Sequence, residues 1–576
     1  MSKTFEDQLD LRSKIVFGEN KSPEYDIDQM GDPRVAFFFK LVRNLEKNKI
    51  IDFIKKILLL YEKKKDKSLL TDLIVMVFQT RDVRGGKGEK KIFYYYLLEL
   101  YKIFPKTILN LLKVIPFYGY YKDYFLILEI IYNEYIDKPY DYHIFIKKIY
   151  GIINEQLDKD ILQYKKKSEK ISLLAKYLPR EKKHFDKKYN FVKNFTQQFF
   201  VQENNLINLY VHNEAILKNS IKRYRKYSSK LNIALDTPEI KMSSKRFSEI
   251  NFGKVSSKSI FKYRKAFLNE IIKDNESIER HTSEDRRKAR KLFLSALEKQ
   301  RTKSGQLEIH EIVKVVLNNL FSKSEKKLFN TLWNNKKKML IDSFTEKNKE
   351  FKFGKLVPII DVSGSMSGIP MYVAISLGLM ISEINENEKL KNKFITFSEE
   401  PKWVKLDDTM DIVDKIYKTV SSDWGKSTNF EAVYKMIGDI ILQGKLPESE
   451  IPDLIVFTDM QFNEAQGNMK ESWKTHHERI IDYFNKIGTK ISGKPYNPPK
   501  LIYWNLRSDT VGFPTKADTP NTQMLSGYSP SLFKHILSNK PLNKLKLETP
   551  YSTLRNILDD ERYNLIKDII ILSKEL

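Results

Sequence analysis

The hydrophobic pattern of this 576-residue chain changes period near Lys355, and no other feature constrains its fold as much. Upstream, Val35, Phe37, Phe38, Leu41, Val42 and Leu45 recur at three- and four-residue spacing, as do Ile51, Ile54, Ile57, Leu58 and Tyr61. That is the pattern of amphipathic helices. Similar stretches follow at about 67–80, 89–104, 106–115, 120–136 and 142–165, separated by short links such as Phe104-Pro105, Ile115-Pro116 and Gly119. They predict stacked antiparallel helix pairs in a solenoid or curled bundle, an all-α helical-repeat region of HEAT-like character. No sequence period is sharp enough to name the repeat. Downstream, short β-branched or aromatic runs take over: Leu356–Ile360, Phe394–Phe397, Leu454–Phe457 and Leu501–Trp504. Helical stretches near 370–385, 409–420, 430–442 and 477–487 lie between them. Strands alternating with helices predict a Rossmann-like α/β domain with a parallel sheet covered on both faces.

A chain this long exceeds one hydrophobic core. The expected division is an irregular N-terminal arm over 1–30, a basic helical region over 31–350 and the α/β domain over 351–576. Charge follows the same division. The whole chain carries 101 Lys+Arg against 74 Asp+Glu, while residues 351–576 hold 29 of each, so the surplus of 27 lies entirely upstream. Basic clusters include Lys165–Lys167, Arg180–Lys183, Lys222–Lys226, Arg286–Lys291 and Lys336–Lys338, several beside aromatics such as Tyr177, Phe185, Tyr224 and Tyr227. Phosphate contact combined with base stacking uses that mixture, which points to a nucleic-acid or other polyanion partner. Lysine runs on helices are also ordinary solvated faces, and a chain rich in Lys, Ile, Asn, Tyr and Phe is what AT-biased coding produces.

The absence of cysteine excludes disulfides and thiolate metal sites and fits a reducing intracellular setting, cytoplasmic or, for a viral protein, host cytoplasm or virion. The N-terminus lacks the basic-then-apolar pattern of a secretory signal, and no apolar run reaches membrane-spanning length, so no membrane partner is expected.

The chemistry is concentrated at predicted strand ends. Leu356–Ile360 runs directly into Asp361-Val362-Ser363-Gly364-Ser365, a tight turn that aims one carboxylate and two hydroxyls at a common point, with Gly364 read as the source of backbone freedom. Asp459 ends the run Leu454–Thr458, and Thr428 sits in a loop before an apolar helix. These are hard oxygen donors of low total charge, suited to magnesium first, with calcium or manganese as alternatives. The structural alternative is that Asp361 and Ser363 cap a turn and Asp459 caps a helix. All five positions match the metal-ion-dependent adhesion site of von Willebrand A domains, which the segment from about 355 to 576 resembles. The resemblance implies hydroxyl ligands from Ser363, Ser365 and Thr428, carboxylates from Asp361 and Asp459 acting directly or through water, and one metal position left for an acidic side chain of a partner.

The helical half carries a second resemblance. Gln79-Thr80-Arg81-Asp82-Val83-Arg84-Gly85-Gly86-Lys87-Gly88-Glu89 and Ile115-Pro116-Phe117-Tyr118-Gly119-Tyr120-Tyr121-Lys122-Asp123 are similar to the helical ring of Ro/TROVE proteins, which also precedes a von Willebrand A domain. Leu174–Pro179, Tyr224-Arg225-Lys226 and Val456–Phe462 are similar to an uncharacterised family that joins a TROVE-like region to such a domain in plants, fungi and giant DNA viruses. Ro proteins bind structured small RNA, so the resemblance implies an RNA surface. Its candidate contacts are Arg81, Arg84, Lys87, Lys176, Arg180, Arg223, Arg225 and Lys226. The alternative for the first segment is structural, with Gly85-Gly86 breaking the chain between helices.

Catalytic signals are sparse. Among eight histidines only His476 and His477 are close in sequence, and H-E-x-x-H, G-x-S-x-G and phosphate-loop patterns are absent. The expectation is a non-catalytic, Ro-like RNA-binding protein without a small-molecule cofactor, whose metal site grips a protein offering Asp or Glu. A protein-only adaptor or assembly factor is the alternative, and a metal-dependent hydrolase stands behind both.

Overall fold

A computed structural model describes residues 15–18, 20–135, 142–168, 170–202, 214–299, 307–345, 354–397, 401–421, 429–462, 475–537 and 548–576. The chain is mostly helical and includes a six-stranded mixed sheet in its C-terminal part. In chain order, β1 (Ile15–Phe17) and β2 (Pro23–Tyr25) form an antiparallel ribbon. β3 (Glu270–Lys273) and β4 (Glu276–Glu279) form a hairpin. Its connecting residues Asp274 and Asn275 have φ of 50° and 64°, the left-handed pair that a tight hairpin turn requires. The sheet is built from β5 (Leu356–Asp361), β6 (Lys393–Phe397), β7 (Lys402–Lys405), β8 (Asp453–Thr458), β9 (Leu501–Asn505) and β10 (Thr522–Ser526).

The strand order is β10-β9-β8-β5-β6-β7, parallel throughout except for β7, which runs antiparallel at the edge. Every residue of β5 and β9 is buried, as expected for parallel strands covered on both faces. From β5 the chain moves outward to β6, while β8 lies on the other side of β5 and leads to β9. The order reverses between β5 and β8, which opens a crevice at their carboxyl ends. Helix Ile369–Ile384 packs on β5 so closely that a Cβ at Gly378 would lie 2.4 Å from Ile360 Cγ1, so a glycine is required there. Helix His476–Ser492 starts with a capping box between Thr475 and Glu478 and stops at Gly493, whose φ of 75° lies in the left-handed region that favours glycine.

Chain contacts assemble two compact units: 1–92 with 252–281 and 293–564, and 93–251 with 282–292 and 565–576. These do not coincide with the spans 31–350 and 351–576 expected from periodicity. In the sheet-bearing unit, helix Pro33–Lys40 lies against β10 and against helices Lys47–Lys64, Ser68–Arg81 and Pro550–Leu558. Asp72 ties this group together, accepting from Arg34 at 2.6 Å and Arg555 at 2.5 Å. The described part of the N-terminal arm is also built in. Tyr25 exchanges backbone hydrogen bonds with Phe513, and Glu24 accepts from the Gly512 amide at 2.6 Å. Periodicity shows which face of a helix is apolar and says nothing of which neighbour covers it, so the expected boundary near 350 falls inside this unit.

The second unit is helical, with helices including Pro105–Leu111, Lys122–Ile130, His143–Lys165, Phe191–Gln202 and Glu214–Leu235. The helix expected over 120–136 passes at Ile131–Tyr135 into a π-helical turn. An aromatic core fills the interior: Phe185 and Phe191 stack at 5.8 Å, and Tyr189 stacks on Phe191 at 5.3 Å. Some buried polar groups pair within the unit. Tyr94 donates to Asp123 at 2.6 Å, and Tyr224 donates to the Pro179 carbonyl at 2.5 Å.

Candidate metal centre

β5 ends in Asp361, and Asp459 directly follows the last residue of β8. Asp361 and Asp459 are both fully buried, so two carboxylates stand inside the protein at the point where the strand order reverses. Each uses Oδ1 to fix its own turn: the Ser363 amide donates to Asp361 at 2.9 Å and the Gln461 amide to Asp459 at 3.1 Å. The expected turn-capping alternative therefore describes one oxygen of each. The second oxygens differ. Asp361 Oδ2 accepts from the Thr458 hydroxyl at 2.5 Å, whereas Asp459 Oδ2 is buried and accepts no hydrogen bond. Its nearest cation is Arg507, with Nη1 at 3.5 Å.

The serines complete the cluster. Ser363 is buried and Ser365 half-buried, and their hydroxyl oxygens lie 3.1 Å apart. Burial, and then the charge of Asp459, push the Asp361 carboxyl up to about 7. Burial also raises Asp459, opposed by the Gln461 amide, the nearby Ser365 hydroxyl and Arg507. Two buried carboxylates, the charge of one raising the other, beside two converging hydroxyls and one oxygen that accepts no hydrogen bond, fit a hard divalent cation. The ion would offset the repulsion and take up the oxygen that accepts no hydrogen bond. Asp361, Ser363, Ser365 and Asp459 are thus brought together; Thr428 lies outside the described residues. Gly364 opens a short 3-10 turn and has no positive φ, so the freedom assigned to it belongs instead to Gly368, with φ of 91°.

Two neighbours in this centre, Thr458 and Arg507, had no place among the expected site residues. Thr458 is the last residue of β8, and Arg507 lies two residues beyond β9. The available signal was position: Thr458 ends a strand flanking the reversal, and Arg507 follows the strand next to it. A second group of acid and imidazole ligands, Glu308, His310 and Glu311, has its candidate atoms within 4.8 Å of one another. There the charge is already balanced, because Arg43 pairs with Glu308 at 3.2 Å and with Glu89 at 3.1 Å, and Lys258 approaches Glu308 at 3.8 Å.

The residues expected to contact RNA divide by burial. Arg81 is 0% and Lys87 2% exposed, which corrects their assignment, since neither can present its charge to a polyanion. Lys87 Nζ donates to the Phe38 carbonyl at 2.5 Å, the Leu41 carbonyl at 2.9 Å and the Ser526 hydroxyl at 2.6 Å, pinning β10 to helix Pro33–Lys40. Beside it, Asp82 receives Arg562 Nη2 at 2.8 Å and Tyr563 at 3.3 Å. Gly86 is required because a Cβ there would lie 2.0 Å from the Gln79 carbonyl oxygen. Lys336, from another cluster, is also buried, and Lys337 pairs with Glu383 at 2.7 Å. Arg84, Arg180, Arg225 and Lys226 are exposed, and Lys176 and Arg223 half-buried. Lys176 pairs with Glu239 at 3.0 Å and Arg225 with Glu181 at 2.7 Å.

Residues 355–564 match a family model described as a domain of unknown function, DUF7788, and residues 132–291 match another, DUF2828. The chain is 27% identical over 579 residues to uncharacterized protein L728 of Acanthamoeba polyphaga mimivirus, covering 95% of this chain and 92% of that protein. These matches support an uncharacterised family with giant-virus members. The DUF7788 segment spans all six strands of the sheet and so contains the strand-end cluster, while the DUF2828 segment holds Lys176, Arg180, Arg223, Arg225 and Lys226. Among the described residues no helix is long and apolar enough to cross a membrane.

Proposed function

We propose that this chain is a non-catalytic binding protein whose sheet-bearing unit grips a protein partner through a divalent cation, magnesium by ligand chemistry, in a site of the von Willebrand A adhesion type. One observation carries the reading: the buried Asp459 carboxylate has an oxygen with no hydrogen bond, next to Asp361 and the paired hydroxyls of Ser363 and Ser365. Those four residues would hold the ion, with Thr428 added by the resemblance. A bound cation supplies a Lewis-acidic position that an Asp or Glu of the partner can occupy. The chain's own part is to keep the oxygens converged through the Ser363 and Gln461 amides and to exclude bulk water by burial. Manganese titration of the full-length chain tests this. Wild type is expected to bind one ion and Asp361→Asn none; equal binding by the two would end the reading.

A second activity, binding of structured RNA, is favoured by the charge of the helical unit. Residues 93–251 contain 28 Lys+Arg against 17 Asp+Glu, and Arg180, Arg225 and Lys226 are on the surface. Binding of this kind weakens linearly in log affinity against log salt. It survives Asp361→Asn, whereas an adaptor that grips only protein shows no RNA affinity at moderate salt.

A further inference from the structure

We infer that Arg507 is the built-in counter-cation of the strand-end site and competes with a divalent ion for Asp459. The inference rests on the metal-binding reading above. The chain leaving β9 passes beside the chain leaving β8: Asn505 is the register partner of Thr458, and the Leu506 amide donates to the Thr458 carbonyl at 3.0 Å. The Asn505 side chain accepts from the Arg507 amide at 3.0 Å, which fixes the direction in which Arg507 departs. Asp509 then takes the guanidinium, with Nε at 3.0 Å from Oδ1 and Nη2 also paired. Nη1 is left 3.5 Å from Asp459 Oδ2.

That distance makes a charge contact and not an aligned hydrogen bond, so Asp509 holds Arg507 firmly and Asp459 holds it loosely. Among the described residues, no other Lys or Arg stands within ion-pair range of Asp459 or Asp361. The arginine side chain is 27% exposed, which leaves it room to swing into solvent. A divalent ion bound at Asp459 Oδ2 would place two positive charges against the guanidinium in a site largely shielded from water. Repulsion of that kind is weakly screened, so one cation has to withdraw. Arg507 thereby stabilises the metal-free carboxylates and raises the ion concentration needed to fill the site.

The test is manganese binding, read by the electron paramagnetic resonance of the free ion, on full-length wild type, Arg507→Gln and Asp509→Asn. Removing the guanidinium is expected to tighten binding about tenfold. Releasing Arg507 from Asp509, so that it seats on Asp459, is expected to weaken binding about threefold. Metal-free Arg507→Gln should also melt below wild type, and saturating manganese should close the gap. Equal or weaker binding by Arg507→Gln overturns the inference; if that variant does not fold, equal or tighter binding by Asp509→Asn does so. A wild type that binds no manganese, or binds it unchanged after Asp361→Asn, defeats the metal reading itself. Wild-type binding lost in Asp361→Asn but unaltered in Arg507→Gln defeats only the role of Arg507.

Discussion

Two glycine-containing, charged segments drew attention in the sequence, Asp361–Ser365 and Arg81–Glu89, and they differ in how their buried charges are balanced. In the second, the described buried charges are balanced: Lys87 donates to two carbonyls and a hydroxyl, Asp82 receives an arginine and a tyrosine, and Glu89 pairs with Arg43 at 3.1 Å, although one Glu89 oxygen accepts no hydrogen bond. In the first, the charge of Asp459 raises Asp361, and the oxygen of Asp459 that accepts no hydrogen bond has a single described cation, Arg507, at 3.5 Å. A satisfied internal network is a structural joint. A site where two buried carboxylates share one loosely held cation invites a ligand, because a further positive charge lowers the cost of burying them. Conspicuous residues alone did not separate the two cases; charge balance did.

The comparison makes opposite predictions for two aspartates. Asp82→Ala removes the buried carboxylate that receives Arg562, and removing one partner of a buried pair costs about 3–5 kcal/mol. Chemical denaturation should show that loss. A cost below about 1 kcal/mol would remove Asp82 from the structural class.

Acid should unfold the sheet-bearing unit through its interior histidines. Burial lowers His310 and His477 to about 4, so both are neutral when folded, while in the unfolded chain they titrate near 6.5. The unfolded state therefore binds more protons between those values. Stability is fully present above pH 6.5 and falls as pH drops toward 4, by about 3 kcal/mol for each histidine. Thermal melts across that window should flatten when His477 is replaced by Gln, and an unchanged slope would count against a neutral buried imidazole.

Asp361→Asn should act in the reverse sense to Asp82→Ala. Without added metal, removing one of two repelling carboxylates is expected to stabilise the chain by about 1 kcal/mol, the usual gain when a functional strain is relieved. Metal-free melting that drops instead would place Asp361 with the joints. The smallest stability change is expected on the helical surface. Arg180→Glu, Arg225→Glu and Lys226→Glu together should shift stability by no more than about 0.5 kcal/mol. RNA filter binding by that variant should show a shallower salt slope by about two to three counterions. An unaltered slope would remove this face from RNA binding.

Much of the C-terminal architecture was legible before any coordinates. Helices expected near 370–385, 430–442 and 477–487 lie at Ile369–Ile384, Phe430–Gly444 and His476–Ser492, because long apolar-periodic segments with capping residues admit few alternatives. Four apolar runs marked β5, β6, β8 and β9, but two edge strands escaped notice. β7 is mostly exposed, with only Val404 buried, so it lacks an apolar run. β10 reads Thr-Gln-Met-Leu-Ser, and its burial comes from helices Pro33–Lys40 and Pro550–Leu558, which no local pattern reveals. Of the residues expected to contact RNA, Arg180, Arg225 and Lys226 are exposed whereas Arg81 and Lys87 are buried, because the same residue types serve both surface and interior.

Local chemistry determined which segments become helices or strands and which oxygen-bearing residues stand at strand ends, since periodicity and turn formation act over a few neighbouring residues. Tertiary structure alone decided that residues 33–92 join the sheet-bearing unit, that Lys87 is internal, and that Arg507 comes within reach of Asp459. Burial and charge pairing depend on residues hundreds of positions apart meeting in space, and no pattern along the chain records which of them meet.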